Sequence, residues 1–169
     1  MQNIVLVGFM GTGKTAVGRI LAAKLGCEFI EMDEMIEAKE GCPVREIFDK
    51  KGEDYFRNLE MDTAGKVSQE KGVIISTGGG AVVNDKNFQN FKKNGLIICL
   101  EASPKVILKR TKDLASRPLL NVPDPEKKIE ELLKKRAPYY KRADFCIDTD
   151  TSSAEEVADK IIKWVTKRD

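Results

Sequence analysis

The eight residues Gly8-Phe9-Met10-Gly11-Thr12-Gly13-Lys14-Thr15 constrain this chain more than any other stretch. They fit the pattern G-x-x-x-x-G-K-[ST], and they sit between the two elements that the pattern needs. Before them, Ile4-Val5-Leu6-Val7 is a continuous apolar run suited to a strand buried on both faces. After them, Val17, Ile20, Leu21 and Leu25 recur at helical spacing, and Gly26 reads as the helix C-cap. Glycines in such a loop let successive backbone N–H groups turn inward around phosphate oxygens. The helix N-terminus adds its partial positive charge. Lys14 then reaches the terminal phosphates, and the Thr15 hydroxyl holds a magnesium ion. Gly11, Thr12, Gly13, Lys14, Thr15 and Ala16 are therefore the expected cradle for ATP with Mg²⁺. The alternative is a glycine-rich turn with no ligand, and the flanking strand and helix argue against it. The motif does not say what receives the phosphate.

The rest of the chain alternates short apolar runs with helical patterns, which predicts an α/β fold on a mostly parallel sheet. The predicted strands are Ile4–Val7, a second from Phe29-Ile30 ending near Asp33, Val73–Ser76, Leu96–Leu100, and a weaker one at Phe145-Cys146-Ile147. Residues 34 to 69 read as helix in pieces, with Pro43 in a first turn and Gly52 as a break. Ser103-Pro104 opens a helix by N-cap and N1 preference. The final helix carries Ala154, Val157, Ala158, Ile161, Ile162 and Val165 as a core-facing stripe. Between Ala115 and Pro125, three prolines and Arg117 make an irregular segment, the kind that is mobile or functional inside a compact fold.

Composition narrows the chemistry. There is no histidine, so a general base must be a carboxylate, and any metal is a hard ion held by oxygen. The formal net charge of +2 gives no push toward nucleic acid or a membrane surface. No apolar run approaches the ~18 residues of a membrane span. The N-terminus shows no signal peptide, and a cytoplasmic protein of one domain over residues 1–169 is expected. Cys27, Cys42, Cys99 and Cys146 form no CxxC pair, and Cys99 and Cys146 read as small buried core residues.

Several further features lie in a fixed order. Asp33 follows the second strand within Glu31-Met32-Asp33. Phe56-Arg57 precedes Glu60 at helical spacing, and Gly78-Gly79-Gly80 follows the third strand. Arg117-Pro118-Leu119-Leu120 lies in the irregular segment, and Arg136-Ala137-Pro138-Tyr139-Tyr140 ends the next helix. Each has an ordinary structural alternative: a helix N-cap for Asp33, a surface pair for Arg57 and Glu60, a sharp turn for the glycines, a basic helix end for Arg136. Together, in this order, they resemble shikimate kinase, from the phosphate loop to Tyr140 and more weakly to the C-terminus.

The resemblance implies a five-stranded parallel sheet in the order 2-3-1-4-5, a single P-loop kinase domain, and phosphoryl transfer from ATP to the 3-hydroxyl of shikimate. It implies that Arg57 and Arg136 grip the substrate carboxylate, that Glu60 holds Arg57, and that Gly78, Gly79 and Gly80 border the substrate, with the Gly79 amide in contact. Asp33 would orient the hydroxyl and accept its proton. Arg117, in a lid over about residues 112–124, would reach the transferring phosphoryl group, and Arg110 would pack on the adenine. The acceptor region would span about 33–62. Where the family usually has Asp-x-Asp after the second strand, this chain has Glu31-x-Asp33, so Glu31 would support Mg²⁺ with one more methylene. No Asp precedes the triple glycine, so metal support must come from elsewhere. The expected partners are shikimate and ATP, with no nucleic acid and no membrane, and the chain is expected to act as a monomer. A gluconate or nucleoside monophosphate kinase of similar build is the nearest rival. A nucleotide-binding regulatory module without kinase activity is the rival from another class.

Overall fold

The apolar runs pair side by side and the helical stretches cover both faces of the sheet they make. In the computed structural model, which describes residues 1–112 and 117–168, β1 (Asn3–Val7), β2 (Phe29–Glu31), β3 (Ile74–Ser76), β4 (Gly95–Glu101) and β5 (Phe145–Asp148) form one sheet. Their order is β2-β3-β1-β4-β5, and every pairing is parallel. β1 lies at the centre, which is why its sequence is continuously apolar rather than alternating. Val5 and Val7 face one core, and Ile4 and Leu6 face the other.

The helices divide between the two faces. On one side α1 (Lys14–Leu25) and α7 (Ala154–Val165) pack Val17, Leu21, Val157, Ala158 and Ile161 against Ile4, Leu6 and Ile98. The α7 stripe is the one expected, and Ser153 with Glu156 closes a capping box at its start. On the other side lie α3 (Val44–Val67), α4 (Asp85–Asn94), α5 (Pro104–Arg110) and α6 (Pro125–Tyr140). They contribute Ala64, Val67, Phe88, Phe91, Ile107 and Ile129 to the second core. Full burial of each valine, isoleucine or phenylalanine among them stabilises by roughly 1.5–3 kcal/mol relative to exposure.

Several local expectations are refined. α2 (Met32–Glu40) begins one residue after β2, so Asp33 is its second residue. Glu31 occupies the N-cap position of α2, and its side chain makes no capping bond, so Asp33 is not a cap. Pro43 is the N-cap of α3 rather than part of its first turn, and Gly52 kinks α3 at φ 84°. The helix α6 continues through Pro138 to Tyr140. Cys99 is buried as expected, but Cys146 is exposed on β5, the edge strand, where its thiol donates to the Tyr140 carbonyl at the end of α6 (3.9 Å).

The segment of α2 and the first half of α3 forms an arm with its own apolar cluster of Ile36, Ile47, Phe56 and Leu59. It stands beside the carboxyl ends of β2, β3 and β1. In an open parallel α/β sheet, that end is where ligands bind.

Candidate active site

The loop after β1 is shaped by its glycines. Gly8 has φ 136°, and a Cβ there would lie 2.3 Å from the Leu100 carbonyl oxygen, so only glycine fits. Gly13, at φ 95°, is the N-cap of α1. The Lys14 ammonium is folded back and donates to the carbonyls of Gly8 (2.8 Å) and Phe9 (3.0 Å). Burial pushes its pKa down to about 8, against the attraction of Glu31 and Asp33. An ammonium held on loop carbonyls beneath an anion nest is poised to transfer its bonds to phosphate oxygens.

Beside it, the Thr15 hydroxyl donates to Glu31 Oε2 at 2.7 Å. Two residues sixteen apart in sequence, both read as metal-supporting, thus touch. Glu31 is also the register partner of Ser76 on β3, whose buried hydroxyl has no partner. Burial raises the Glu31 pKa, and the Thr15 hydroxyl opposes that shift. Thr15, Glu31, Ser76 and the nearby Asp33 give an all-oxygen donor set around one groove, which suits Mg²⁺ with several waters retained. The longer Glu31 side chain reaches Thr15 directly. Ser76 went unnoticed in the sequence, because its neighbour Glu31 is set only by strand register.

Next to this groove, a cavity of about 190 Å³ opens between the α2–α3 arm and the sheet. Arg57, Glu60, Asp33, Gly78, Gly79, Gly80, Arg117 and Arg136 all line it. The sequence pieces drawn from five separate stretches therefore converge. Glu60 is 1% exposed and accepts from Arg57 Nη1 at 2.9 Å. Burial raises its pKa, and Arg57 opposes the shift. Arg136 is 6% exposed, with its guanidinium 5.4 Å from the Phe9 ring centroid. Burial likewise raises the Asp33 pKa, with Lys14 pulling the other way.

The glycine run serves close approach. None of Gly78, Gly79 and Gly80 has a positive φ, so backbone conformation does not demand glycine at these positions. A Cβ on Gly78 would lie 2.5 Å from Glu60 Oε2, and one on Gly80 2.8 Å from Arg57 Nη1. One on Gly79 would stand 3.4 Å from Arg136 Nη1. The run is bare so that the two arginines and the glutamate can lie against the backbone. Tyr140 adds an anchor with no earlier assignment: its hydroxyl donates to the Gly79 carbonyl at 2.5 Å.

Three polar atoms in this cavity are buried and have no hydrogen-bond partner: Asp33 Oδ1, Glu60 Oε2 and Arg136 Nη1. Leaving such an atom unsatisfied costs about 1–3 kcal/mol, and native interiors avoid it. A guanidinium donor and carboxylate acceptors, orphaned together, describe a ligand that carries an anion and hydroxyls. The two cavities share Met10, Asp33, Gly78, Gly79 and Arg117. Asp33 and Arg117 therefore stand where a phosphate donor and a hydroxyl acceptor would meet.

Arg110 lies at the outer side of the loop. Its guanidinium donates to the Gly11 carbonyl (3.3 Å) and to the hydroxyl and carbonyl of Thr149 (3.0 and 2.6 Å). Thr149, with no signal in the sequence, ties it to the end of β5. Arg117 is exposed and precedes a 3-10 turn at Pro118–Leu120. Of the expected lid, residues 113–116 lie outside the described residues.

Comparison with known proteins agrees with the geometry. The family model for Shikimate kinase matches residues 10–166. The shikimate kinase of Thermodesulfovibrio yellowstonii is 52% identical over 96% of this chain and 94% of that protein. The shikimate kinase of Caldanaerobacter subterraneus subsp. tengcongensis is 50% identical over 99% and 98%. Among solved structures, shikimate kinase from Acinetobacter baumannii in complex with shikimate superposes with a TM-score of 0.96 at 39% identity, covering 99% of this chain and 94% of that one. This chain, with its sheet order, its phosphate loop and its arginine-lined cavity, belongs to the shikimate kinase family.

Proposed function

We propose that this chain transfers the γ-phosphate of ATP to the 3-hydroxyl of shikimate, giving shikimate 3-phosphate for chorismate and aromatic amino-acid biosynthesis. The observation that carries the proposal is the trio of orphaned buried atoms, Asp33 Oδ1, Glu60 Oε2 and Arg136 Nη1, in one cavity. Shikimate offers a carboxylate to the arginines and hydroxyls to the carboxylates.

Arg57 and Arg136 grip the acceptor carboxylate, each guanidinium able to donate paired bonds. Glu60 fixes Arg57 through its 2.9 Å bond, and Tyr140 holds the Gly79 backbone in place. Asp33 receives the acceptor hydroxyl and takes its proton as the phosphoryl group arrives. A raised pKa suits this role, because a base nearer the working pH has a larger driving force to accept the proton. The amides of Gly11 to Ala16 cradle the phosphates, and Lys14 moves from its loop carbonyls to the terminal phosphate oxygens. Arg110 borders the adenine side. Thr15 and Glu31, with Ser76 alongside, would hold Mg²⁺. That ion, when bound, neutralises charge on the β- and γ-oxygens.

Residues 112–124 act as a lid. Arg117 already lines both cavities, and closure brings its charge against the transferring group while excluding water. The acceptor region of about 33–62 is the arm of α2 and α3. The chain acts as one domain and as a monomer, without nucleic acid or membrane; among the described residues no helix is long and apolar enough to cross a membrane. A cytoplasmic location belongs to the same proposal.

The test is ADP release, coupled to an optical readout, with shikimate, gluconate, AMP or no acceptor. Turnover with shikimate alone is expected. Equal or greater turnover with gluconate or AMP assigns the chain to a rival kinase. ATP binding without turnover on any acceptor makes it a regulatory module.

A further inference from the structure

We propose that Cys99, Cys146 and Glu101 form a site for one soft or borderline divalent cation, such as zinc or cadmium, at the carboxyl ends of β4 and β5. The two cysteines are register partners on neighbouring parallel strands. Glu101 lies two residues beyond Cys99, so its side chain leaves the same face of the sheet. One ligand atom from each of the three lies within 4.8 Å of the other two. Among the described residues, no other group of three Cys, Asp or Glu side chains comes so close.

The geometry is near that of a metal centre. Ligand bonds of about 2.0–2.3 Å in a tetrahedron put neighbouring ligands roughly 3.3–3.8 Å apart. A closing movement of about 1 Å therefore completes the set, with water in the fourth position. Two sulfur donors with one carboxylate select a thiophilic ion and disfavour Mg²⁺, which takes oxygen ligands. The site is reachable, because Cys146 is exposed on the edge strand and Glu101 at the end of β4, while Cys99 supplies the inner ligand.

The frame is rigid around it. The Glu101 carbonyl accepts the Thr149 N–H and the Thr149 hydroxyl, each at 2.9 Å, which pins the end of β4 to the end of β5. Asp148, the register partner of Glu101, adds a carboxylate on the neighbouring strand. Lys141 borders the same cavity as Glu101, and the Lys14 ammonium is the cation whose charge bears on the Cys99 thiol. On ligation each thiol gives up its proton, so one bound cation releases two protons to the buffer. None of the three ligand residues lines the nucleotide groove or the acceptor cavity.

The experiment is a cadmium titration of the reduced, chelator-treated full chain, following the ultraviolet thiolate-to-metal absorption and proton release. Saturation at one equivalent with two protons released is expected. Cys146→Ser should abolish the saturable band while keeping shikimate-dependent turnover, which also shows that the variant is folded. Glu101→Gln should weaken the apparent affinity by about tenfold or more. A chain with Cys27→Ser and Cys42→Ser together should behave as the natural one. The proposal is overturned by the lack of saturation at one equivalent, by a band that survives Cys146→Ser, or by a band that vanishes with Cys27 and Cys42.

Discussion

Replacing Asp33 with Asn removes one charge and keeps the shape of the side chain. A positioned general base contributes about 10²–10⁴ in rate. At 1.36 kcal/mol per tenfold, that is roughly 2.7–5.4 kcal/mol of barrier. The stability effect runs the other way. Burial raises the folded-state pKa of Asp33 above its ordinary value of 3.8, despite Lys14. The ionised form is thus less comfortable in the fold than in the unfolded chain. The contribution Asp33 makes is fully present at acid pH and is lost as pH rises through its folded pKa. Asn carries no such loss, so Asp33→Asn should match the natural chain at acid pH and exceed it near neutrality. For a chain of this size each kcal/mol gained is worth about 2–4 °C in the unfolding midpoint. The assays are coupled ADP release, ATP binding by calorimetry, and thermal unfolding at about pH 4 and pH 7. Turnover should fall by about 10²-fold or more, with ATP affinity retained and a higher midpoint at pH 7. Turnover kept within a few-fold refutes the base assignment. Turnover lost together with ATP binding and a lower midpoint refutes the electrostatic reasoning.

Lys14 titrates near 8 in the free protein, below its ordinary 10.5, and phosphate contact must restore its charge. Between those values ATP binding should take up close to one proton, and affinity should fall as pH rises above 8; calorimetry in two buffers of different ionisation enthalpy measures both, and no proton uptake near pH 9 contradicts it. Gly80→Ala forces a methyl to within 3.0 Å of the Arg57 guanidinium. Overpacking of that kind costs about 1–3 kcal/mol, so KM for shikimate should rise while ATP affinity stays fixed. Glu31→Ala should shift the Mg²⁺ dependence of turnover to higher concentration, and Glu31→Asp should restore much of the loss; an unchanged Mg²⁺ curve in Glu31→Ala would remove Glu31 from the metal site.

The strands and the phosphate loop were legible because their signals are local: apolar runs, helical spacing and glycines at fixed offsets. The convergence of Asp33, Arg57, Glu60, the glycine run and Arg136 on one cavity was legible only as an ordered set. Taken singly, Arg136 reads as a basic helix end, and it is buried only because α6 lays it against Phe9 and the glycine run. What the sequence hid depends on register and edges. Ser76 joins the Glu31 groove through a strand pairing, and Thr149 holds Arg110 across 39 residues. Cys146 looked like core because its neighbours are apolar, yet β5 lies at the sheet edge and exposes it. The triple glycine was legible as a border of the site, but its partners were not: its missing side chains make room for Arg57, Glu60 and Arg136, which only the packing of α3 and α6 brings there.

A crystal structure of the chain with shikimate, ADP and Mg²⁺ tests the central claim most directly. The acceptor carboxylate should lie on Arg57 and Arg136, with a ring hydroxyl on Asp33 facing the phosphate loop and Lys14. Shikimate bound outside the cavity between the α2–α3 arm and the glycine run, with Arg136 Nη1 and Asp33 Oδ1 still unpartnered, would contradict it.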